Sequence, residues 1–207
     1  MIGHILQAAA DSKLFETIHV STESSRIVDV VETLGFPVDF PRPDHLADDH
    51  TPLMPVLRYV VETYAGQGRT FDEIWLLMAC APLIEADDLV EASSLFSSRG
   101  GERSVVAVAQ FPVPVEWAFH RRGDGGLDPV NAAMMAVRSQ DIEPAFYDAG
   151  AFYAYPARAV LESSGAGDYS AYVGHLLPRL KAVDIDSEED LQLAEFLFNS
   201  NAKNRRT

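Results

Sequence analysis

Apolar residues at Ile2, Ile5, Leu6, Ala9 and Leu14 recur at spacings of three and four, which puts them on one face of an amphipathic helix that opens the chain. Residues 17–21 then read as a short strand. Ile27, Val28, Val31 and Leu34 mark a second helix over residues 24–34, closed by Gly35 as helices commonly close, before a short extended stretch at 36–40. Residues 41–52 are polar loop. Val56, Leu57, Val60, Val61 and Tyr64 predict a third helix that stops around Gly66.

An almost unbroken apolar run at 71–81 comes next. It suits a central parallel strand, buried on both faces by helices and therefore without alternation. A helix over 89–96 and a strand over 105–109 follow. From 111 to 148 the pattern loosens into Pro, Gly and charged residues, with the turn signal Gly123-Asp124-Gly125-Gly126 between aromatic and apolar flanks. This stretch reads as an excursion from the sheet. Order returns with a strand at 150–155, a helix at 157–161, a strand at 180–185 and a last helix at 187–198. Alternating strands and helices predict a three-layer α/β/α sandwich, a single domain over residues 1–198 with a frayed polar tail at 199–207.

With 207 residues, 47% of them hydrophobic and 23% charged, the chain is long and apolar enough to bury a core without disulfide staples. Sixteen Lys and Arg against thirty-one Asp and Glu give a net charge of -15, which disfavours nucleic acid and anionic membranes as partners. A small anionic substrate stays open, because a few local cations or backbone N–H groups override the global field at one site. The longest near-apolar stretch, 74–84, is too short to span a bilayer, and the N-terminus carries no signal-peptide pattern. Cys80 is the single cysteine and has no intrachain disulfide partner, which suits a reducing cytoplasm.

Asp184-Ile185-Asp186 ends a predicted strand, where alternation points both carboxylates to one side of the sheet. Two acids there suit a magnesium ion, which bridges one or two carboxylates to substrate phosphates. A second reading takes the following residues as a capping box, with Ser187 at the N-cap and acids in the first helical turn. The box accounts for residues 187–190 but gives no need for Asp184. Arg42, between Pro41 and Pro43, lies in a loop after a strand end, where ligands bind open α/β sheets. It suits a phosphate or carboxylate, or equally a surface turn. Asp48, Asp49, His50 and Thr51 read as a metal-binding cluster or as a solvated loop. Ala79, Cys80 and Ala81 close the apolar run with small side chains that admit a ligand or serve close packing, and no base accompanies Cys80 to make it a nucleophile. No Gly-x-Gly-x-x-Gly, Gly-Lys-Ser/Thr, Gly-x-Ser-x-Gly or Cys-x-x-Cys motif is present, which removes support for a Rossmann dehydrogenase, a P-loop kinase or a serine hydrolase.

Several segments taken together resemble the acylneuraminate cytidylyltransferases, and most of all their pseudaminic acid branch. They are Ile18-His19-Val20-Ser21-Thr22, the stretch from Arg42-Pro43 through Asp49, residues 79–83, Phe111-Pro112-Val113-Pro114, Arg138-Ser139-Gln140-Asp141, Tyr147-Asp148-Ala149-Gly150 and Asp184-Ile185-Asp186. The resemblance implies a nucleotide-diphospho-sugar transferase-like fold and a nucleotidyltransferase that joins CMP from CTP to a nine-carbon acidic sugar. Pseudaminic acid leads as substrate, with sialic and legionaminic acids behind it. It assigns Mg2+ to Asp184 and Asp186, and substrate positioning to Arg42, Asp49, Ala79, Cys80, Ala81, Gln140 and Asp148. It also makes the part of the excursion from Phe111 to Gln140 a dimerisation segment of a homodimer. The family normally opens with a phosphate-cradling loop rich in Ala-Arg-Gly-Gly-Ser-Lys, which this 207-residue sequence lacks. The resemblance therefore also admits an N-terminally truncated, inactive member that acts as a binding or assembly module.

Overall fold

The computed structural model describes residues 1–163 and 172–204. The opening apolar periodicity gives α1 (Ile2–Ser12), and the next gives α2 (Ser25–Thr33), after which Gly35 adopts a φ of 89°. Then come α3 (Leu53–Gly66), β1 (Glu73–Leu77), α4 (Ala86–Ser98) and β2 (Val105–Gln110). The loosely patterned region holds a two-stranded hairpin, β3 (Phe119–Arg121) and β4 (Leu127–Pro129), closed by the Gly-rich turn read from the sequence. The chain ends with β5 (Phe146–Pro156), α5 (Ala157–Glu162), β6 (Val173–Leu176) and α6 (Glu188–Asn204).

The main sheet has the order β1-β5-β2-β6. β5 runs antiparallel to both β1 and β2, and β6 runs parallel to β2. Helices cover both faces. Ile5, Ala8 and Ala9 of α1 and Leu89, Ala92 and Phe96 of α4 pack on one face against Val105, Ala107, Ala151 and Ala154. The many alanines in this layer let helix and strand backbones approach closely, and Phe152, fully buried, contributes about 1.5–3 kcal/mol of apolar burial among them. Met54 and Val61 of α3 and Val160 of α5 pack with Ile74, Leu76 and Tyr155 on the opposite face. This is the expected three-layer α/β/α arrangement.

Four sequence expectations are corrected. The 71–81 run is a strand only over Glu73–Leu77; it pairs antiparallel with β5 and lies at the sheet's edge, not at its centre. Residues 17–21 and 36–40 belong to no ladder. Residues 180–185 are not a strand either: Leu180 stays 63% exposed, and the apolar alternation is satisfied by Val183 and Ile185 packing with Leu83, Ala194 and Leu197. The strand at this end of the sheet is the earlier and shorter β6. Finally, α6 carries residues 199–204 as helix, and 205–207 lie outside the described residues.

The free edge of β1 faces an apolar cavity of about 410 Å³ whose far wall is formed by residues 17–21. Residues of α1 (Ile2, Ile5, Ala9) and of α3 (Val60, Val61, Tyr64) also line it. Met78 N–H donates to the carbonyl of Ala151 at 2.9 Å, opposite which it sits in the antiparallel register, so Trp75 and Leu77 point their own N–H groups away from β5 and toward this cavity. Their amides are expected to exchange with solvent much faster than those of Ile74, Leu76 and Met78. Residue-resolved hydrogen exchange checks this, and equal protection along β1 would show that the edge is covered.

Candidate active site

Asp184 is the centre of the best-defined polar cluster. The coil that carries it follows β6 and enters the sheet region at Cys80, whose carbonyl accepts the Ile185 N–H at 3.1 Å. The Cys80 thiol donates to the Asp184 carboxylate. Burial, this hydrogen bond and the nearby Asp184 charge, with Asp186 adding a smaller effect, push the thiol up to about 12, so it is a neutral donor and not a nucleophile. The Asp184 side chain packs on Gly150, which sits inside β5 with a φ of 60°. A Cβ on Gly150 would lie 2.2 Å from Asp184 Oδ2, so the absence of a side chain at 150 is what gives the carboxylate its place. Asp184 Oδ1 is buried and has no hydrogen-bond partner among the described residues.

Asp148 stands on the other side of the same glycine. Its Oδ1 accepts the Gly150 N–H at 3.0 Å and its Oδ2 accepts the Tyr153 hydroxyl at 2.5 Å. β5 therefore presents Asp148 and the seat of Asp184 within three residues, at an irregularity in its pairing with β2. Asp186 is exposed, two residues beyond Asp184. The capping box read from the sequence is present as well: Asp190 Oδ2 accepts from Ser187 N–H at 2.9 Å and from Ser187 Oγ at 2.7 Å, and Asp190 N–H donates to Ser187 Oγ at 3.3 Å. The hydroxyl contact holds the Asp190 carboxyl below its usual range. The box uses neither carboxylate of Asp184 nor that of Asp186.

Arg42 and Ala79 both line the 410 Å³ cavity. Arg42 donates through Nε to Ser21 Oγ at 3.3 Å and lies 3.9 Å from Glu23, which fixes the guanidinium beside residues 21–23. Ala81 is fully buried, so its role is packing, whereas Ala79 is exposed and Cys80 half-buried. Asp48 accepts the His50 and Thr51 N–H groups, each at 2.8 Å, and Thr51 Oγ1 at 3.0 Å, which makes the acidic loop an Asx turn with Asp49 exposed beside it. Gln140 is exposed in a 3-10 turn, Ser139–Asp141, held by the Arg138–Asp141 ion pair at 2.9 Å. The cluster thus joins Cys80, Asp148 and Asp184 through Gly150. Asp49 and Gln140 stand on surface loops apart from those contacts.

Several residues of interest carry no motif. Lys181 Nζ reaches Asp88 Oδ1 and Oδ2, both at 2.8 Å, and Glu85 Oε2 at 2.9 Å. Tyr64 donates to Asp39 Oδ2 at 2.6 Å, so its oxygen accepts from His19 Nδ1 at 3.3 Å and leaves His19 Nε2 a bare, buried acceptor. Burial lowers the His19 pKa against the opposing pull of Asp39. A separate open cavity of about 480 Å³ lies at the carboxyl ends of the parallel strands β2 and β6, lined by Gln110, Phe111, Leu176, Pro178 and Arg179 among others. Strand ends of this kind are where α/β sheets bind ligands, and Arg179 is the cation there.

Among the described residues no group of three or more His, Cys, Asp or Glu side chains is arranged to hold a metal. A magnesium ion shared with substrate phosphates needs only one or two carboxylates. The unpartnered Oδ1 of Asp184, with Asp186 close by in the chain, fits that donor set.

The profile of the family described as "Cytidylyltransferase" matches residues 1–89. The pseudaminic acid cytidylyltransferase of Campylobacter jejuni is 28% identical over 201 residues, covering 97% of this chain and 86% of that protein. The CMP-N,N'-diacetyllegionaminic acid synthase of Legionella pneumophila is 26% identical over 209 residues, again with 97% and 86% covered. Among solved structures, CMP:2-keto-3-deoxy-manno-octonic acid synthetase complexed with CTP superposes with a TM-score of 0.64 at 13% identity, covering 97% of this chain and 88% of that one. A 4-diphosphocytidyl-2C-methyl-D-erythritol synthase gives 0.60 at 13% identity, with 95% and 89% covered. The structural likenesses establish the fold, the profile match makes the first 89 residues similar to the cytidylyltransferases, and the sequence likeness to synthetases of CMP-activated nonulosonic acids extends along nearly the whole chain.

Proposed function

We propose that this protein is a magnesium-dependent cytidylyltransferase that transfers CMP from CTP to a nine-carbon acidic sugar, pseudaminic acid or a related nonulosonic acid, and releases pyrophosphate. The observation that carries the reading is the Asp184 carboxylate, seated on a side-chain-free Gly150 with one buried oxygen left without a partner among the described residues. In the reaction a sugar hydroxyl oxygen forms a bond to the α-phosphorus and the bond from that phosphorus to the bridging oxygen of pyrophosphate breaks. Asp184 and Asp186 would hold the Mg2+, whose chemistry is to offset charge on the phosphate oxygens. Arg42 stands ready to pair with an anionic group at the apolar cavity beside β1, and Arg179 with the sugar carboxylate at the ends of β2 and β6. Pyrophosphate release that requires CTP, acidic sugar and Mg2+ together tests the proposal. Release from CTP without any sugar would replace it with a hydrolase.

Two further parts of the reading rest on surface features. Phe119, Leu127 and Val130 on or beside the β3–β4 hairpin, with Val113, Val115 and Phe146 near it, are exposed apolar side chains, which supports a homodimer joined through this excursion. Sedimentation equilibrium is expected to give twice the chain mass, and a monomer at micromolar concentration would contradict it. Among the described residues no helix is long and apolar enough to cross a membrane, and the free Cys80 supports action in the reducing cytoplasm.

A further inference from the structure

The segment that bears Asp184 and Asp186 is coil and gains no placement from a strand ladder. Among the described residues, its backbone hydrogen bond to the sheet region is Ile185 N–H to the Cys80 carbonyl. Val183 and Ile185 pack beneath it against Leu83, Ala194 and Leu197, and the charged anchor is Lys181, three residues upstream of Asp184. The Lys181 side chain is 19% exposed, and its ammonium is gripped by Glu85 and by the nearly buried Asp88, all within 2.9 Å. These carboxylates belong to the N-terminal capping box of α4, in which Asp88 Oδ2 also accepts the Glu85 N–H at 2.8 Å. A lysine at a helix N-terminus opposes the helix dipole, and two carboxylates around one ammonium leave the net negative charge that the dipole favours. The same acids thus cap α4 and hold the coil.

We infer that Lys181, Glu85 and Asp88 form a clamp that positions the Asp184–Asp186 segment, so that the cap of α4 sets where the two proposed magnesium ligands stand. Lys181 is a positioning residue: its ammonium is taken up by Glu85 and Asp88, and it acts through the coil. The inference rests on the proposed role of Asp184 and Asp186, but its structural half does not depend on activity.

The test uses the full chain with Lys181→Met, Lys181→Arg and Glu85→Gln. Hydrogen exchange at the Ile185 amide is expected to accelerate at least about tenfold in Lys181→Met, and less in Glu85→Gln, while amides of β2 and β5 keep their protection. Lys181→Arg, which can bridge both carboxylates, is expected to restore slow exchange. In the turnover assay the Mg2+ concentration for half-maximal rate is expected to rise in Lys181→Met in parallel, with KM for CTP at saturating Mg2+ changed less than about twofold. Unchanged Ile185 exchange in a folded Lys181→Met or Glu85→Gln protein overturns the clamp. Faster exchange with an unaltered Mg2+ requirement overturns its link to the ligands. Absence of turnover in the unsubstituted chain strikes the proposed function and leaves the exchange result standing as the test of the clamp.

Discussion

Asp184→Asn is expected to lower the rate of pyrophosphate release by at least about 100-fold, the scale on which removing one electrostatic partner of a developing charge acts, while leaving the fold as stable as before or more so. The two halves of this result come from the same atom. Asp184 Oδ1 is buried without a partner among the described residues, so the folded chain carries a desolvation cost that the single Cys80 hydrogen bond to this carboxylate repays only in part. An amide of the same shape removes that cost and still accepts the Cys80 thiol. A residue kept for stability would show the reverse pattern, lower stability with activity retained, and that outcome would remove Asp184 from the catalytic centre. Chemical denaturation and turnover measured on one preparation separate the two.

Gly150→Ala is expected to be nearly as damaging to activity, and for a reason outside the reacting groups. At a φ of 60° an alanine costs about 1–2 kcal/mol in backbone strain. The added Cβ would also lie 2.2 Å from Oδ2, 2.7 Å from Cγ and 3.3 Å from Cβ of Asp184. Those contacts involve the whole carboxymethyl arm, so a rotation of its tip does not relieve them and Asp184 must leave its seat. We expect a loss of roughly 1–3 kcal/mol in unfolding free energy together with a fall in turnover of at least about 100-fold. A double-mutant cycle supplies the check. Adding Asp184→Ala to Gly150→Ala makes room for the new methyl, so the combined destabilisation should be smaller than the sum of the two single effects. Strict additivity would mean that the glycine and the carboxylate do not share this space.

Much of this architecture was legible in the sequence because helices announce themselves by period. The spacing of Ile2, Ile5, Leu6 and Ala9 and of Val56, Val60, Val61 and Tyr64 depends only on which face is buried, and α1 and α3 appear where the pattern puts them. Strands were harder, since their identity depends on a neighbour the local sequence does not name. The apolar run at β1 is half-buried, with Trp75 and Leu77 packing on the α1 and α4 side and Ile74 and Leu76 on the α3 side, yet only one of its edges is paired. Residues 180–185 alternate like a strand because Val183 and Ile185 face the α6 helix, while β6, interrupted by Gly174 and His175, has too weak a pattern to be noticed.

The candidate site divides in the same way. Asp184 and Asp186 stood out by their spacing, although the strand alternation invoked to align them is absent and a coil carries them instead. The seat for Asp184 comes from Gly150, and the clamp on the coil from Lys181, Glu85 and Asp88, which are brought together across nearly a hundred residues of chain by the packing of α4. No one-dimensional pattern connects a glycine in a strand to an aspartate 34 positions later. Cys80 was read as an inert small thiol, and its raised pKa agrees, but its service as a hydrogen-bond donor to Asp184 becomes visible only in three dimensions.

The most direct test of the central claim is Mg2+-dependent pyrophosphate release by the folded 207-residue chain, supplied with CTP and, in turn, pseudaminic, legionaminic and sialic acids. The account predicts release with one of these sugars, lost when Mg2+ is chelated or when Asp186 is replaced by Ala. No release with any of the three from a chain shown to be folded would contradict it and would favour a protein of this fold that binds without transferring CMP.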